Sequence, residues 1–446
     1  MSAALSTPHW ARLQEECMRR SAEGAALCVQ QAAQRVHPAY SFPWRVAEAP
    51  AFIPAEVFAQ DTRAMRRRLL PLLTPAFLRN ARAQVPARFR AAHPRRPQFF
   101  ATDFARALDA NGALWHPMPE LQSFPGNFFL WQALVPPALA MLRLDGAAAD
   151  WRGLGACSGA VGTDLLRQCV LGDTPAEECA ILEVAPAEQK TFIDALLMAR
   201  ALGVVLVDVR HVRCEPSGAL FAERWLEVGD GGPVEHGGRR ALRRIHSRCL
   251  PLELDPVLSE AAMDSIFRRS EECGGVTFSV HPEDFFLLSK ATLAGQDIEP
   301  PLLRVDEHLL EVLRLRGRSL RDGVLKPVDS AGGQGVLGVR ETLDQAALDA
   351  AMSQTGEPLR YVWQQRYTPY AFQRAGLCGL PADASPVQQE LRLMWVLPPT
   401  ATEPLVAGTM VRWSEQGELA SAGRARAPFT GTQCVLVGDP WPATPQ

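Results

Sequence analysis

The chain has 446 residues, enough for roughly three domains at about 150 residues each. Hydrophobic residues make up 47% and charged residues 21%, an ordinary globular composition that excludes collagen, coiled coil and wholesale disorder. The formal net charge of −3 gives no global reason to expect a polyanionic partner such as nucleic acid. None of the ten cysteines forms a C-x-x-C pair, and no second ligand pair answers His246 and Cys249, so the spacing speaks against zinc. Scattered cysteines in a chain of this length read as reduced, buried, small hydrophobes. No apolar run reaches the about 18 residues of a membrane span, and the N-terminus lacks the basic start and apolar stretch of a secretion signal. The expectation is a soluble cytoplasmic protein without a membrane or nucleic-acid partner.

In chain order, residues 1–95 read as helix and loop, with basic helices expected at 62–73 and 74–84. Residues 99–108 and 115–122 read as extended, with a tight turn at Asn111-Gly112 between them. Residues 127–144 read as a buried helix broken near Pro136-Pro137. Next comes a strand at 179–184, an amphipathic helix at 187–202 with Gly203 as its cap, and a buried strand at 204–208. That is a βαβ unit, which predicts a parallel sheet. The glycine-rich segment 227–239 is expected to be a loop, and 256–269 a helix. Strands are expected at 324–326, 336–340, 361–365, 390–396, 405–413 and 434–437, with a helix at 343–352 and a loose tail from Gly438.

Only three of the 46 basic residues are lysine: Lys190, Lys290 and Lys326. Arginine replaces lysine freely on solvated surfaces but not where a compact ammonium is needed, so the neighbourhoods of these three carry information. Lys326 stands in Val324-Leu-Lys-Pro-Val-Asp-Ser-Ala-Gly-Gly-Gln-Gly-Val336, a strand followed by a glycine loop and a second strand. Glycines let backbone N–H groups approach phosphate oxygens, and a lysine on the preceding strand neutralises their charge. Gly333, Gly335 and Gly338 also match the dinucleotide spacing, but that fingerprint needs a helix opening within the glycines. No Walker or protein-kinase arrangement is present. Lys290 precedes this unit, as a second lysine of a phosphate clamp would. Strand 361–365, with Gln364 and Gln365, is a candidate edge strand beside an adenine ring. Glu390 and Arg392 are two residues apart and share one face of their strand.

This arrangement resembles the ATP-grasp superfamily of carboxylate–amine ligases. Asp103 in the first extended segment, and Glu120 with Gln122 in the second, resemble the metal strands of the circularly permuted branch that includes glutathionylspermidine synthetase. There the metal strands come first, a pre-ATP-grasp βαβ domain follows, and the lysine and glycine-loop lobe is last. The resemblance covers about residue 96 to 437. It implies an α+β fold divided as a helical region 1–95, metal strands 96–150, the pre-ATP-grasp domain 151–255 and the ATP-grasp lobes 256–446. Two positions depart from the pattern: Gln122 stands where the family has Asn, and Ala101 where the synthetases carry a phosphoryl-stabilising Arg. Arg392, Arg412 and Arg248 are candidate substitutes.

The resemblance implies ATP and Mg2+ as cofactors. Asp103, Glu120 and Gln122 would be the metal ligands, all supplying oxygen. Lys290, Lys326, Gly332, Gly333, Gln334, Gly335, Gln364, Gln365 and Glu390 would hold the nucleotide, with Arg392 and Lys290 in the chemistry. Lys190, at the start of the βαβ helix, and Arg244 with Arg248 are candidate contacts to the small-molecule carboxylate and amine substrates. The plainer readings are a helix-surface Lys190 paired with Asp194, and a solvated cluster for the arginines. The expected activity is amide formation through an acyl phosphate. The alternatives are a nucleotide-binding protein without ligase chemistry and a dinucleotide-dependent enzyme.

Overall fold

The computed structural model describes residues 30–31, 33–41, 45–46, 51–108, 114–123, 126–130, 151–153, 160–229, 231–296, 298, 300–305, 308–319, 322–328, 361–365, 367, 371–372, 387–415 and 430–438. Among them the chain forms a mixed α+β structure around two large sheets and two small ones. The expected strand at 336–340, the helix at 343–352, the glycine loop with Gly332, Gly333, Gln334 and Gly335, the Asn111-Gly112 turn and the tail beyond Gly438 lie outside the described residues. No described helix is long and apolar enough to cross a membrane.

The first sheet is assembled from both ends of the chain. Its central path runs Arg45–Val46, Thr430–Gly438, Leu405–Glu415, Val387–Val396, Phe99–Ala105 and Glu120–Gln122. Phe99–Ala105 pairs antiparallel with Val387–Val396 along its whole length, and then with Glu120–Gln122 on its other side. Ala51–Pro54 and Trp151–Gly153 also pair with Thr430–Gly438. Strand alternation sorts the side chains. Phe100, Phe104, Leu391, Leu393, Trp395 and Val411 point to one apolar core. That core is closed by helix Ala55–Leu72, whose Phe58, Met65, Leu69 and Leu72 recur at helical spacing. Inside it, Trp395 donates its indole N–H to Thr102 Oγ1 at 2.9 Å. The opposite face packs Phe99, Met394, Val396 and Met410 against the second unit, and becomes charged further along the strands.

The second unit is the expected βαβ element, enlarged. Four parallel strands lie in the order Val205–Asp208, Cys179–Glu183, Arg244–Ser247, Thr277–Val280. Helices Ala160–Leu171 and Phe192–Leu202 cover the face carrying Cys179, Ile181 and Leu206. The other face, with Ala180, Leu182, Val205 and Val207, is covered by segments that include Pro75–Ala83 and Pro282–Leu287. Both faces are buried, which is why these strands read as unbroken apolar runs. Gly203 caps the central helix at φ 72°, donating to Ala199 O. The helix starts at Phe192 rather than at 187, because Pro186–Glu188 makes a separate 3-10 turn after Ala185, at φ 43°. The helix expected at 256–269 starts at Glu260, capped by Ser259, and continues as π-helix over Asp264–Arg269 into Ser270–Cys273.

One loop expectation is overturned. Residues 227–239 belong to a long antiparallel hairpin, Leu220–Gly229 with Gly232–Leu242. Its glycines serve strand geometry: Gly232 turns at φ 104°, and Gly238, at φ 146°, passes under the Trp225 ring. The third sheet is small: Tyr361–Gln365 lies between Leu302–Arg304 and Gly323–Pro327. Tyr361–Gln365 is therefore a central strand and not the expected edge. Trp363 packs against the backbone of Gly323, where an added Cβ would fall 2.2 Å from the indole.

This assembly makes a strong statement about fragments. A polypeptide of residues 256–446 keeps Val387–Val396, Leu405–Glu415 and Thr430–Gly438 but loses the partners of both outer strands. It should be insoluble when expressed alone, because it bares two strand edges and the apolar face around Leu391, Leu393 and Trp395. Co-expression of residues 1–255 should recover soluble material, as measured in the supernatant after lysis.

Candidate functional site

The charged end of the first sheet follows from register. Asp103 lies opposite Arg392 on one side and opposite Glu120 on the other, and Glu390 lies opposite Arg412. Directly paired residues share a face, so all five project together, away from the Phe100 and Leu393 core. Asp103 is 1% exposed, and Glu390 and Arg392 are also buried. Arg392 grips Asp103 with two parallel bonds, Nε to Oδ1 at 2.6 Å and Nη2 to Oδ2 at 2.8 Å. Arg412 donates to the same Asp103 Oδ2 and to Glu390 Oε2, the latter at 3.1 Å, and stands 4.0 Å from Glu120 Oε2. Tyr367 donates its hydroxyl to Glu390 Oε1 at 2.9 Å, and its ring meets Trp115 edge-on at 6.2 Å.

These contacts set the ionisation states. Burial acts to raise the Asp103 pKa, but the guanidiniums of Arg392 and then Arg412 overcome it and hold the group at about 2. Glu390 is raised above its ordinary value by burial, against the pull of Arg412. Burial and the neighbouring Glu390 carboxylate push the Tyr367 phenol well up. Burial lowers the Lys326 ammonium against the attraction of Glu120, and Lys290 adds to the lowering as a nearby like charge.

The lysine-bearing small sheet is docked onto the acidic strands. Lys326 and Gln364 lie on one face of that sheet, since Lys326 is opposite Val362 and Gln364 follows two residues later. Gln364 donates from Nε2 to Pro119 O at 3.1 Å, and Lys326 Nζ donates to the same oxygen at 3.5 Å. Pro119 immediately precedes Glu120. Lys290 opens the short helix Lys290–Leu293, whose Leu293 joins the core under the first sheet. The structure thus brings together Asp103, Glu120, Gln122, Lys290, Lys326, Gln364, Glu390, Arg392 and Arg412. Gln365 lies on the other face of its strand from Gln364, opposite Gly323, and its N–H donates to Pro301 O.

The donor set does not suit Asp103 as a metal ligand. Both of its oxygens already accept guanidinium N–H bonds, and Glu390 is shared between Tyr367 and Arg412. Among the described residues, no group of three His, Cys, Asp or Glu is arranged to hold a metal. Glu120 is engaged as well, hydrogen-bonded to Asp103 and 4.0 Å from Arg412. Gln122 sits opposite Ala101, which in turn lies opposite Met394.

The three candidate substrate contacts lie in the second unit. Arg248 donates to Glu183 Oε2 at 2.8 Å, to Asp194 Oδ2 at 2.6 Å and to Thr191 Oγ1 at 3.0 Å, all in the buried interior. Burial pushes the Glu183 pKa up to about 7 in spite of Arg248. Asp194 also accepts the backbone N–H groups of Asn127, Phe129 and Leu130, each at 2.8 Å. It is therefore an internal cap and not the surface partner expected for Lys190. Lys190 itself is exposed in the turn before the helix. Arg244 is bound to the carbonyls of Val170 and Cys169 at the end of helix Ala160–Leu171, from Nε at 2.6 Å and Nη2 at 3.0 Å. The solvated cluster expected for these arginines is replaced by two separate structural contacts. Tyr367 and the Pro119 carbonyl were not among the sequence candidates. The scarcity of tyrosine, four in the chain, and the position of Tyr367 just past strand 361–365 are the only sequence signals for it.

No protein-family model matches the chain, and no curated protein matches it. Among solved structures its fold is similar to that of a glutathione synthetase-like effector from Globodera pallida in apo form. The two share 10% sequence identity with a TM-score of 0.55, over 95% of this chain and 97% of that one. At that identity the likeness is one of fold: a glutathione synthetase-like, mixed α+β architecture.

Two consequences can be measured on Asp103. Asp103→Asn leaves Arg392 buried without its counter-charge and should cost about 3–5 kcal/mol in denaturant unfolding. The acid limb should change as well. A carboxyl lowered from 3.8 to about 2 stabilises the fold above its unfolded value and loses that contribution as pH falls from about 4 to about 2. The wild type should lose about 2 kcal/mol over that window from this group, a slope that Asp103→Asn should lack.

Proposed function

We propose that the chain is an ATP-dependent carboxylate–amine ligase with the permuted ATP-grasp order. The observation that carries this reading is the pair of bonds from Lys326 and Gln364 to the Pro119 carbonyl. Through them the lysine strand of the last third and the acidic strand of the first third line one site. The glutathione synthetase-like fold supports the same class. In this reading Lys290 and Lys326 bind the α- and β-phosphates. Arg392 and Arg412 are fixed positive charges beside the transferring phosphoryl group, the position left open by Ala101. A substrate carboxylate oxygen attacks the γ-phosphorus and ADP leaves. The resulting acyl phosphate is attacked at carbon by an amine, and phosphate leaves as the amide forms. Catalysis then rests on positioning and charge neutralisation. An amino acid or small peptide is the acid that the resemblance implies. Mg2+ is the metal the resemblance implies, but Asp103 as bonded here is not available to it, so no step is assigned to the ion.

A second reading is favoured by that same Asp103 clamp together with Ala101: a protein that binds nucleotide without joining substrates. One assay separates the two. The full chain is incubated with ATP, pooled amino acids and polyamines, and products are read by mass. ADP, phosphate and a new amide in equal amounts support the ligase; ATP binding without turnover supports the second reading. Lys326→Ala should weaken ATP binding by about 1.5–3 kcal/mol with the fold intact by circular dichroism. Unchanged affinity in that folded variant would remove Lys326 from the site.

A further inference from the structure

The acidic residues of the site are already committed. Asp103 accepts three guanidinium N–H bonds, two from Arg392 and one from Arg412. Glu390 accepts one from Arg412 and one from the Tyr367 hydroxyl. A magnesium ion demands near-octahedral oxygen ligands at close range. To recruit Asp103 it would have to strip Arg392, itself buried at 8% exposure, of its only carboxylate among the described contacts. That exchange strands one cation to bind another. Meanwhile Lys326, with Lys290 nearby, and Arg412 lie beside Asp103, Glu120 and Glu390, so cationic side chains already stand at the acidic residues. The guanidiniums of Arg392 and Arg412 stay charged at every accessible pH. Arg412 Nε is also buried with no hydrogen-bond partner, so the guanidinium that bridges the two carboxylates keeps an unused donor.

We propose that Arg392 and Arg412 supply the charge neutralisation that a divalent cation would otherwise bring, so that this chain binds a nucleoside triphosphate without requiring a divalent metal. The inference rests on the nucleotide reading of the site. It places the two arginines as fixed positive charges on the acidic strands, where their bonds hold Asp103 and Glu390 away from an incoming ion.

Isothermal titration calorimetry of the full chain with ATP, in excess EDTA and again in excess MgCl2, tests it. The expected dissociation constants agree within about threefold. Binding about tenfold or more tighter with Mg2+ overturns the inference while leaving the nucleotide site standing. Absence of binding in both buffers overturns the nucleotide reading and this inference with it. A second arm uses Arg412→Gln, which removes one of the two guanidinium bonds to Asp103 Oδ2 and the guanidinium bond to Glu390 Oε2 while keeping the Arg392 bonds; its fold is checked by its melting temperature. In that variant Mg2+ should tighten ATP binding about tenfold. A variant as indifferent to Mg2+ as the wild type would overturn the role assigned to Arg412.

Discussion

A buried carboxylate is not tolerated in a folded interior without a counter-charge, and Asp103 is a buried carboxylate. Its partners, Arg392 and Arg412, are 289 and 309 positions away in sequence, yet they must arrive on strands adjacent to or within reach of Phe99–Ala105. That requirement specifies the sheet: Val387–Val396 beside Phe99–Ala105, and Leu405–Glu415 beside that. Once these strands are in register, Glu120 and Glu390 fall on the same face, and the apolar alternates fall on the other. The charged end of the sheet is thus both a pairing code for the fold and the acidic wall of the candidate site. Long loops closed in this way cost entropy that grows only slowly with length, so the pairing is affordable once the ion pairs specify it.

The same logic recurs in the second unit. Arg248 bridges Glu183 at the end of one strand and Asp194 in the following helix, and Asp194 then caps the chain at Asn127–Leu130. Buried ionic nodes of this kind contribute little net stability compared with apolar replacements, and breaking one partner is costly. Their value here is specificity: each ties segments that local pattern alone would leave unrelated. Arg248 and Arg244 are consumed by these structural duties. The second unit thus reaches the candidate site through its packing against Met394 and Met410, and its arginines are not among the groups gathered there.

Much of the architecture was legible because it rests on local alternation. The apolar runs at 179–184 and 204–208 are buried on both faces, and the Glu390 and Arg392 spacing places two charges on one face. The strands expected within 99–108 and 115–122 and those at 390–396 and 405–413 all form, and they lie in one sheet. What was not legible depends on register between distant strands. No local pattern states that Asp103 faces Arg392, so its engagement by two arginines is not foreseeable from the sequence. The glycines of segment 227–239 resemble loop signals in the sequence, whereas in the structure Gly232 and Gly238 supply positive φ angles within a paired ribbon. Tyr361–Gln365 has the same appearance as an edge or a central strand, since hydrogen bonding on its second side comes from Leu302–Arg304, a segment too short to stand out. Asp194 sits at a helix surface spacing from Lys190, but the backbone N–H groups that claim it come from a different part of the chain.

The proposed nucleotide site is built on strands from both the first and the last thirds of the chain. Hydrogen exchange of the full chain, followed by mass spectrometry with and without ATP, addresses it directly. The account predicts that ATP slows exchange simultaneously in peptides covering 114–123, 323–328 and 361–365, with the second unit's strands at 179–183 and 205–208 unaffected. Protection confined to one of the first three segments, or centred on the second unit, would contradict it.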